Sequence, residues 1–125
     1  MNDASEPAWA HDPRALRGRR VVVMGLGVQS GGLGVAAYMR EQGADLVVTD
    51  LRSEAQLASS VAALGSAGVR YVLGRHEMDD FRHAEVVVRN PAVRDDSRYL
   101  RAAREAGAHI EMEFTLFLRL SLIHI

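Results

Sequence analysis

The chain has 125 residues, a hydrophobic content of 48% and a formal net charge of −1, which is typical of one globular domain with a substantial core. A charge this close to zero gives no chain-wide basic field for nucleic acid. All 15 basic residues are arginine and there is no cysteine, which excludes disulfides, thiolate metal sites and lysine-based chemistry such as a P-loop lysine.

After a polar leader, residues 1–17, a buried strand is predicted at residues 20–24. Gly25 and Gly27 follow in a tight turn, and a helix is predicted from about residue 30 to 42. This order is typical of the first unit of a nucleotide-binding sheet, because the glycines allow a sharp turn and the helix N-terminus offers N–H groups to an anion. The dinucleotide fingerprint has glycine where this chain has Ser30, so the turn indicates a ligand without choosing it.

Strands and helices alternate through the rest of the chain. Strands are predicted at 45–49, 69–73, 85–88 and 108–110, helices at 53–67 and 97–106, a possible short helix within 74–83, and an apolar helix from about 113. Apolar strands joined by helices require parallel pairing with right-handed crossovers. The predicted fold class is therefore α/β, a Rossmann-like parallel sheet of about five strands with helices on both faces.

Ligands of such sheets bind beyond the carboxyl ends of the strands, which singles out the loops 25–32, 50–53 and 89–93. Asp50 can bond a ribose hydroxyl, a uracil or a sugar, or else serve the following helix as an N-terminal carboxylate. Arg52 can meet a phosphate or remain solvated. Asn90 can both donate and accept, and Pro91 stiffens its loop, although an ordinary turn after a strand has the same residues.

The sequence predicts neither a metal site nor a catalytic site. His76, Asp80 and His83 are predicted to share one face of a short helix, which superficially suggests metal ligands. No further ligands accompany them, and mixed charges on a solvated helix are common, so no metal site is predicted. No catalytic residue is predicted either, since the sequence has neither a nucleophile elbow nor a Walker loop.

In order and spacing, five segments resemble the N-terminal domain of the glutamate-adding Mur ligases of peptidoglycan synthesis. They are residues 22–32, 47–52, 74–77, 87–93 and 111–117, and the resemblance covers about residues 17–119. It implies that this domain binds the UDP part of UDP-N-acetylmuramoyl-L-alanine and not NAD. It assigns the diphosphate to Gly27, Val28, Gln29 and Ser30, the uracil pocket to Asp50, Leu51 and Arg52, and a further uridine contact to Asn90, Pro91 and Ala92, where the family usually has Ser-Pro-Gly.

The resemblance also implies a longer parent enzyme. That parent is an ATP-dependent ligase with a central ATP- and Mg-binding domain and a C-terminal amino-acid domain, so this chain is expected to hold no cofactor itself. Residues 1–17 are expected to be a flexible leader, residues 18–119 the UDP-binding domain, and residues 120–125 a tail outside the family pattern. A truncated fragment, inactive alone, is therefore expected.

The expected partners are UDP-N-acetylmuramoyl-L-alanine and the missing domains of the same chain, with no nucleic acid and no membrane. A cytoplasmic location is expected, because residues 1–18 do not resemble a signal peptide and the apolar end, residues 114–125, is too short for a membrane span.

Two alternative functions stay open. One is an NAD(P)-binding domain of an oxidoreductase, favoured by the turn and Asp50 and disfavoured by Ser30; the other is a regulatory nucleotide-binding domain without activity.

Overall fold

The computed structural model describes residue 9, residues 12–27 and residues 32–112. The described strands are β1 (Arg20–Met24), β2 (Asp45–Asp50), β3 (Val69–Leu73), β4 (Val86–Arg89) and β5 (His109–Met112). The described helices are α1 (Gly32–Glu41), α2 (Ala58–Leu64), α3 (Met78–Arg82) and α4 (Arg98–Glu105), and a 3-10 turn, Pro13–Leu16, precedes β1. Within these ranges no helix combines the length and apolar character needed to cross a membrane.

The strands form one parallel sheet in the order β3-β2-β1-β4-β5. The central strand β1 pairs with β2 on one side and β4 on the other, with Val22 aligned to Val47 and Val87. The strand order therefore reverses at β1, and ligands of such sheets bind beside this reversal, outside the carboxyl ends of the strands. The predicted fold class, a parallel Rossmann-like sheet of five strands, is confirmed.

Helices cover both faces of the sheet. Successive strand residues point to opposite faces, and because both sets are apolar, both faces are buried. On one face Val21 and Val23 pack with α1 and α2 through side chains such as Val35, Met39 and Leu64. On the other face Val22 and Met24 pack with α3 and α4 through Phe81, Leu100 and Ala103. Burial on both faces explains why the strands lack the apolar–polar alternation of a half-exposed sheet.

The segment before β1 contributes to the first of these two cores. Leu16 is fully buried and Trp9 is only 3% exposed. The indole of Trp9 meets the ring of His109 edge-on, with the ring centroids 5.6 Å apart. These described residues of the leader are therefore packed against the sheet near the start of β5.

The second helix is shorter than the sequence indicates. Regular helix starts at Ala58 and not at Ser53, because residues 54–57 form hydrogen-bonded turns. Ser53 nevertheless behaves as a capping residue: its Oγ accepts from the N–H of Gln56 at 3.2 Å, and Gln56 Oε1 accepts from the N–H of Ser53 at 2.8 Å. This reciprocal pair is a capping box.

The helix predicted at 97–106 is observed as α4 (Arg98–Glu105), and its N-cap residue, Ser97, allows a test. Ser97 Oγ accepts from the N–H groups of Tyr99 at 3.2 Å and Leu100 at 3.5 Å. We expect Ser97→Ala to lower the free energy of unfolding by about 1 kcal/mol. Urea unfolding measures this change. The control is Ser59→Ala at an exposed position inside α2, which should be neutral or slightly stabilising; equal losses in the two variants would contradict the capping role.

Candidate functional site

A cleft of about 910 Å³ opens at the carboxyl edge of the sheet. Residues that follow β1, β2, β3 and β4 border it, together with the first residues of α4 and the segment that leads into α2. Its lining includes six of the predicted site residues: Gly27, Asp50, Leu51, Arg52, Asn90 and Ala92. Pro91 lies between two lining residues, and Val28, Gln29 and Ser30 fall outside the described residues.

The glycine turn begins directly after β1, and its residues Gly25 and Gly27 line one side of this cleft. Gly25 has φ +98°, a conformation that L side chains rarely adopt, and its N–H donates to the carbonyl of Thr49 at 2.8 Å. A Cβ at this position would lie 2.8 Å from Nδ2 of Asn90. Gly25 is therefore required twice, once by backbone geometry and once by the close approach of the loop after β4.

Asp50 holds the turn in place from the end of β2. Its buried carboxylate accepts from the N–H of Leu26 at 3.0 Å and from the N–H of Arg52 at 2.8 Å. The Arg52 guanidinium donates to both carboxylate oxygens, from Nε at 3.1 Å and from a terminal nitrogen at 2.8 Å. Each carboxylate oxygen thus already accepts two hydrogen bonds from within the chain.

These contacts set the charge of the cleft. Burial opposes ionisation of Asp50, but the hydrogen bonds from Arg52 and Leu26 outweigh it, so the pKa of this carboxyl lies below its ordinary value. The same carboxylate raises the pKa of Arg52 through its hydrogen bond. Asp50 and Arg52 form a charged pair at neutral pH, with the arginine side chain 49% exposed toward the cleft mouth.

Asn90 begins the loop that closes the other side of the cleft. Its Oδ1 accepts from the N–H of Ala92 at 2.8 Å, and its carbonyl accepts from the N–H of Val93 at 3.0 Å. Beneath this loop the buried guanidinium of Arg89 contacts the carboxylate of Asp95 and the carbonyl of Val93. The loop after β4 is therefore a fixed turn whose Asn90 amide nitrogen points toward Gly25.

His76 and Tyr99 form a wall of the cleft that is not among the predicted ligand-binding residues. His76 follows β3, and its ring meets the ring of Tyr99 at 5.0 Å and that of Phe81 at 5.8 Å. The loop after β3 reaches the same edge of the sheet as the three loops predicted to bind a ligand. Since ligands bind at the carboxyl ends of the strands in such sheets, the position of His76 after β3 is the sequence signal for this wall.

The hydrogen bonds of His76 define its tautomer. Thr49 Oγ1 lies 3.1 Å from the carbonyl of Arg75, which can only accept, and 2.6 Å from Nδ1 of His76. The Thr49 hydroxyl donates its one proton to the carbonyl of Arg75 and can therefore only accept from His76. Nδ1 of His76 thus carries a proton and donates to Thr49. Burial lowers the pKa of His76 and the charge of Asp50 offsets this only in part, so the ring is neutral at neutral pH with Nε2 unprotonated.

The three potential metal ligands His76, Asp80 and His83 do not share a helix face. His76 precedes α3, Asp80 lies within it and His83 follows its last residue. Asp80 pairs with Arg70, and Nδ1 of His83 lies 2.9 Å from the carbonyl of Asp79. Among the described residues no group of three potential ligands is arranged to hold a metal ion. The predicted helix face was therefore wrong, because the helix is only five residues long.

Structural comparison shows the fold without choosing the ligand. A pseudomurein peptide ligase type C from Methanothermus fervidus superposes with a TM-score of 0.58 at 20% identity, covering 78% of this chain and 20% of that chain. A transhydrogenase from Sinorhizobium meliloti superposes with a TM-score of 0.51 at 25% identity, covering 83% of this chain and 38% of that chain. Both share the architecture, which many functions use.

Sequence comparison identifies the family, which structural comparison does not. The UDP-N-acetylmuramoylalanine–D-glutamate ligase of Roseiflexus sp. (strain RS-1) is 59% identical over 105 residues, which are 84% of this chain and 22% of the relative. The chain thus spans about a fifth of the length of this curated relative. Residues 19–111 match the family described as "Mur ligase MurD-like, N-terminal domain", and that range contains all five strands except the last residue of β5. The chain therefore belongs to the MurD-like N-terminal domain family of the Mur ligases.

Proposed function

We propose that this chain is the substrate-binding N-terminal domain of a ligase that adds glutamate to UDP-N-acetylmuramoyl-L-alanine, and that its cleft binds the UDP part. The observation that carries the proposal is the convergence of the glycine turn, the Asp50–Arg52 pair and the Asn90 loop on one cleft, in a chain of this family. Peptidoglycan synthesis in the cytoplasm is the corresponding process and location.

Each wall of the cleft has a role in this proposal. The turn at Gly27, with Val28, Gln29 and Ser30, holds the diphosphate, because N–H groups before a helix attract an anion. Leu51 is 68% exposed beside the Asp50–Arg52 pair, and an apolar side chain left at a cleft mouth is suited to cover a nucleobase. Asn90, Pro91 and Ala92 contact the uridine from the opposite side, where Ala92 replaces the usual glycine of the family.

The chemical step belongs to the parent enzyme and not to this domain. ATP would activate the carboxylate of the substrate as an acyl phosphate, which the amino-acid nitrogen then attacks. The chain contains no lysine, so it has no P-loop lysine for ATP, and we assign neither ATP nor Mg to its residues. We expect the chain alone to bind its ligand weakly and to catalyse nothing.

The geometry of Asp50 weighs against the NAD(P) alternative. A dinucleotide-binding acidic residue at this position accepts hydrogen bonds from ribose hydroxyls. Here both oxygens of Asp50 already accept from Leu26 or Arg52, so a ribose would have to displace an internal hydrogen bond.

An NMR titration of the isotope-labelled chain with UDP-N-acetylmuramoyl-L-alanine, UDP and NAD tests the proposed function. Shifts at Asp50 and Asn90 with NAD alone would overturn the proposal.

We further expect Arg52→Ala to weaken UDP binding about tenfold or more. The variant loses the hydrogen bond that the Arg52 guanidinium would donate to UDP, and a charged hydrogen bond contributes about 1.5–3 kcal/mol. Isothermal titration with UDP measures the dissociation constant. The matched control is Arg101→Ala, which removes an equal charge from an exposed position on α4 outside the cleft lining. Equal weakening in the two variants would indicate only a general charge effect.

A further inference from the structure

A uracil ring presents one N–H donor between two carbonyl acceptors, so a cleft that selects uracil needs an acceptor for that N–H. Asp50 is an obvious candidate by position, but its two oxygens already receive four internal N–H groups. A new donor would compete with the hydrogen bonds that hold the glycine turn and Arg52. The acceptor for the base is therefore better sought elsewhere in the cleft.

Apart from the hydroxyl of Ser60, which can both donate and accept and so does not select for an N–H donor, the other side-chain acceptors of the cleft are also engaged. Oε1 of Gln56 accepts from the N–H of Ser53, and Oδ1 of Asn90 accepts from the N–H of Ala92. Oγ of Ser97 accepts from two N–H groups of α4, and the hydroxyl oxygen of Tyr99 accepts from Arg98. Asp96 pairs with Arg94 on the surface. These acceptors stabilise the loops that form the cleft.

Nε2 of His76 differs from all of these. Nδ1 is occupied as the donor to Thr49, and no described residue donates to Nε2. The ring is half-buried and lines the cleft, with Tyr99 and Phe81 packed against it edge-on. A ring held by one hydrogen bond and two aromatic neighbours keeps a fixed orientation, so its remaining lone pair is a preorganised acceptor.

We propose that His76 determines base specificity: its Nε2 accepts a hydrogen bond from the ring N–H of a uracil base and rejects cytosine. Cytosine has a lone pair at the corresponding ring nitrogen, so two acceptors would face each other. This inference deepens the proposed function and rests on it, because it requires a nucleoside diphosphate in this cleft.

Three ligands test the inference with the whole chain. Isothermal titration should give UDP about tenfold or more tighter binding than CDP, because a buried acceptor without a donor loses a hydrogen bond. A UDP analogue methylated at the ring nitrogen lacks the N–H and should bind as poorly as CDP. Equal affinity for UDP and CDP in the wild-type chain would overturn the inference.

Two variants separate recognition from structural support. The amide of His76→Gln reaches the position of Nε2 and can rotate to donate or accept, so it should keep UDP binding and reduce the UDP preference to within about threefold. The amide of His76→Asn reaches only the position of Nδ1, so it can keep the Thr49 contact but should lose about tenfold in UDP affinity. A purely structural histidine predicts the reverse order, with Asn tolerated and Gln harmful.

The control variant is His83→Asn, which changes an exposed histidine at the end of α3, outside the cleft lining. It should leave both affinities unchanged, and thermal unfolding of all variants checks that they fold. If UDP binds the wild-type chain but the ratio of UDP affinity to CDP affinity is the same in the His76 variants, this inference fails while the proposed function stands. If UDP does not bind at all, the proposed function fails, and the inference fails with it.

Discussion

Replacing Gly25 by alanine is expected to destabilise the domain by about 2–6 kcal/mol, the sum of roughly 1–3 for a strained backbone and 1–3 for overpacking. The backbone term arises because φ is +98°, and the packing term because the new Cβ would lie 2.8 Å from Nδ2 of Asn90. The contact joins the turn after β1 to the loop after β4. If these two segments moved apart to relieve the clash, the cleft between them would also widen. Urea unfolding and UDP titration measure the two effects.

Gly107→Ala is the matched control for the backbone term. Gly107 has φ +92°, close to that of Gly25, but a Cβ there would meet nothing within 4 Å. The difference between the two variants therefore reports the contact with Asn90. Adding Asn90→Ser to Gly25→Ala shortens the opposing side chain and should recover part of that difference. Equal destabilisation by the two alanines, with no recovery from serine, would show that the Asn90 contact has no energetic weight.

Truncating Phe81 to alanine is expected to lower the free energy of unfolding by about 3–5 kcal/mol, as for other buried aromatic residues. Phe81 is fully buried between the sheet and α4, where it packs with Leu100 and Ala103. Its ring also meets those of His76 and Tyr99. The cavity should therefore loosen the histidine wall of the cleft as well as the core, and urea unfolding together with UDP titration records both changes.

Leu51→Ala provides the comparison for Phe81. Leu51 is 68% exposed, so its truncation should change stability by no more than about 0.5 kcal/mol while leaving a smaller apolar contact for a ligand. Phe81→Ala should therefore mainly lower the free energy of unfolding, whereas Leu51→Ala should lower only the affinity for UDP. A Phe81 loss as small as that of Leu51 would mean that the α3–α4 side of the core is not closely packed.

The architecture could be predicted from sequence because apolar runs and glycine turns are local signals. The apolar runs at residues 20–24 and 45–49 are typical of strands buried on both faces of a parallel sheet. The helices α1 and α4 end shortly before Gly43 and Gly107, close to the ends predicted at residues 42 and 106. The start of α2 was less predictable. Ser53 has the chemistry of a helix cap, but turns follow it at residues 54–57, and Leu57 of these turns is buried in the core.

The site could be located from sequence but its internal hydrogen bonds could not. The positions of Asp50 and Asn90 follow from the strand ends, which sequence patterns mark. That Arg52 folds back onto Asp50, and that Thr49 fixes the ring of His76, depends on side-chain directions after folding. Spacing alone therefore presented Asp50 as an open carboxylate and His76 as one of three possible metal ligands.

Trp9 gives this domain a built-in optical probe. It is the one tryptophan of the sequence, it is 3% exposed, and it lies against His109 at the start of β5, away from the cleft lining. Its emission should shift to longer wavelength when the leader detaches or the sheet unfolds, because the indole then meets water. Ligand entry at the opposite edge of the sheet should leave that emission unchanged, so fluorescence can follow folding in the same samples in which calorimetry follows binding.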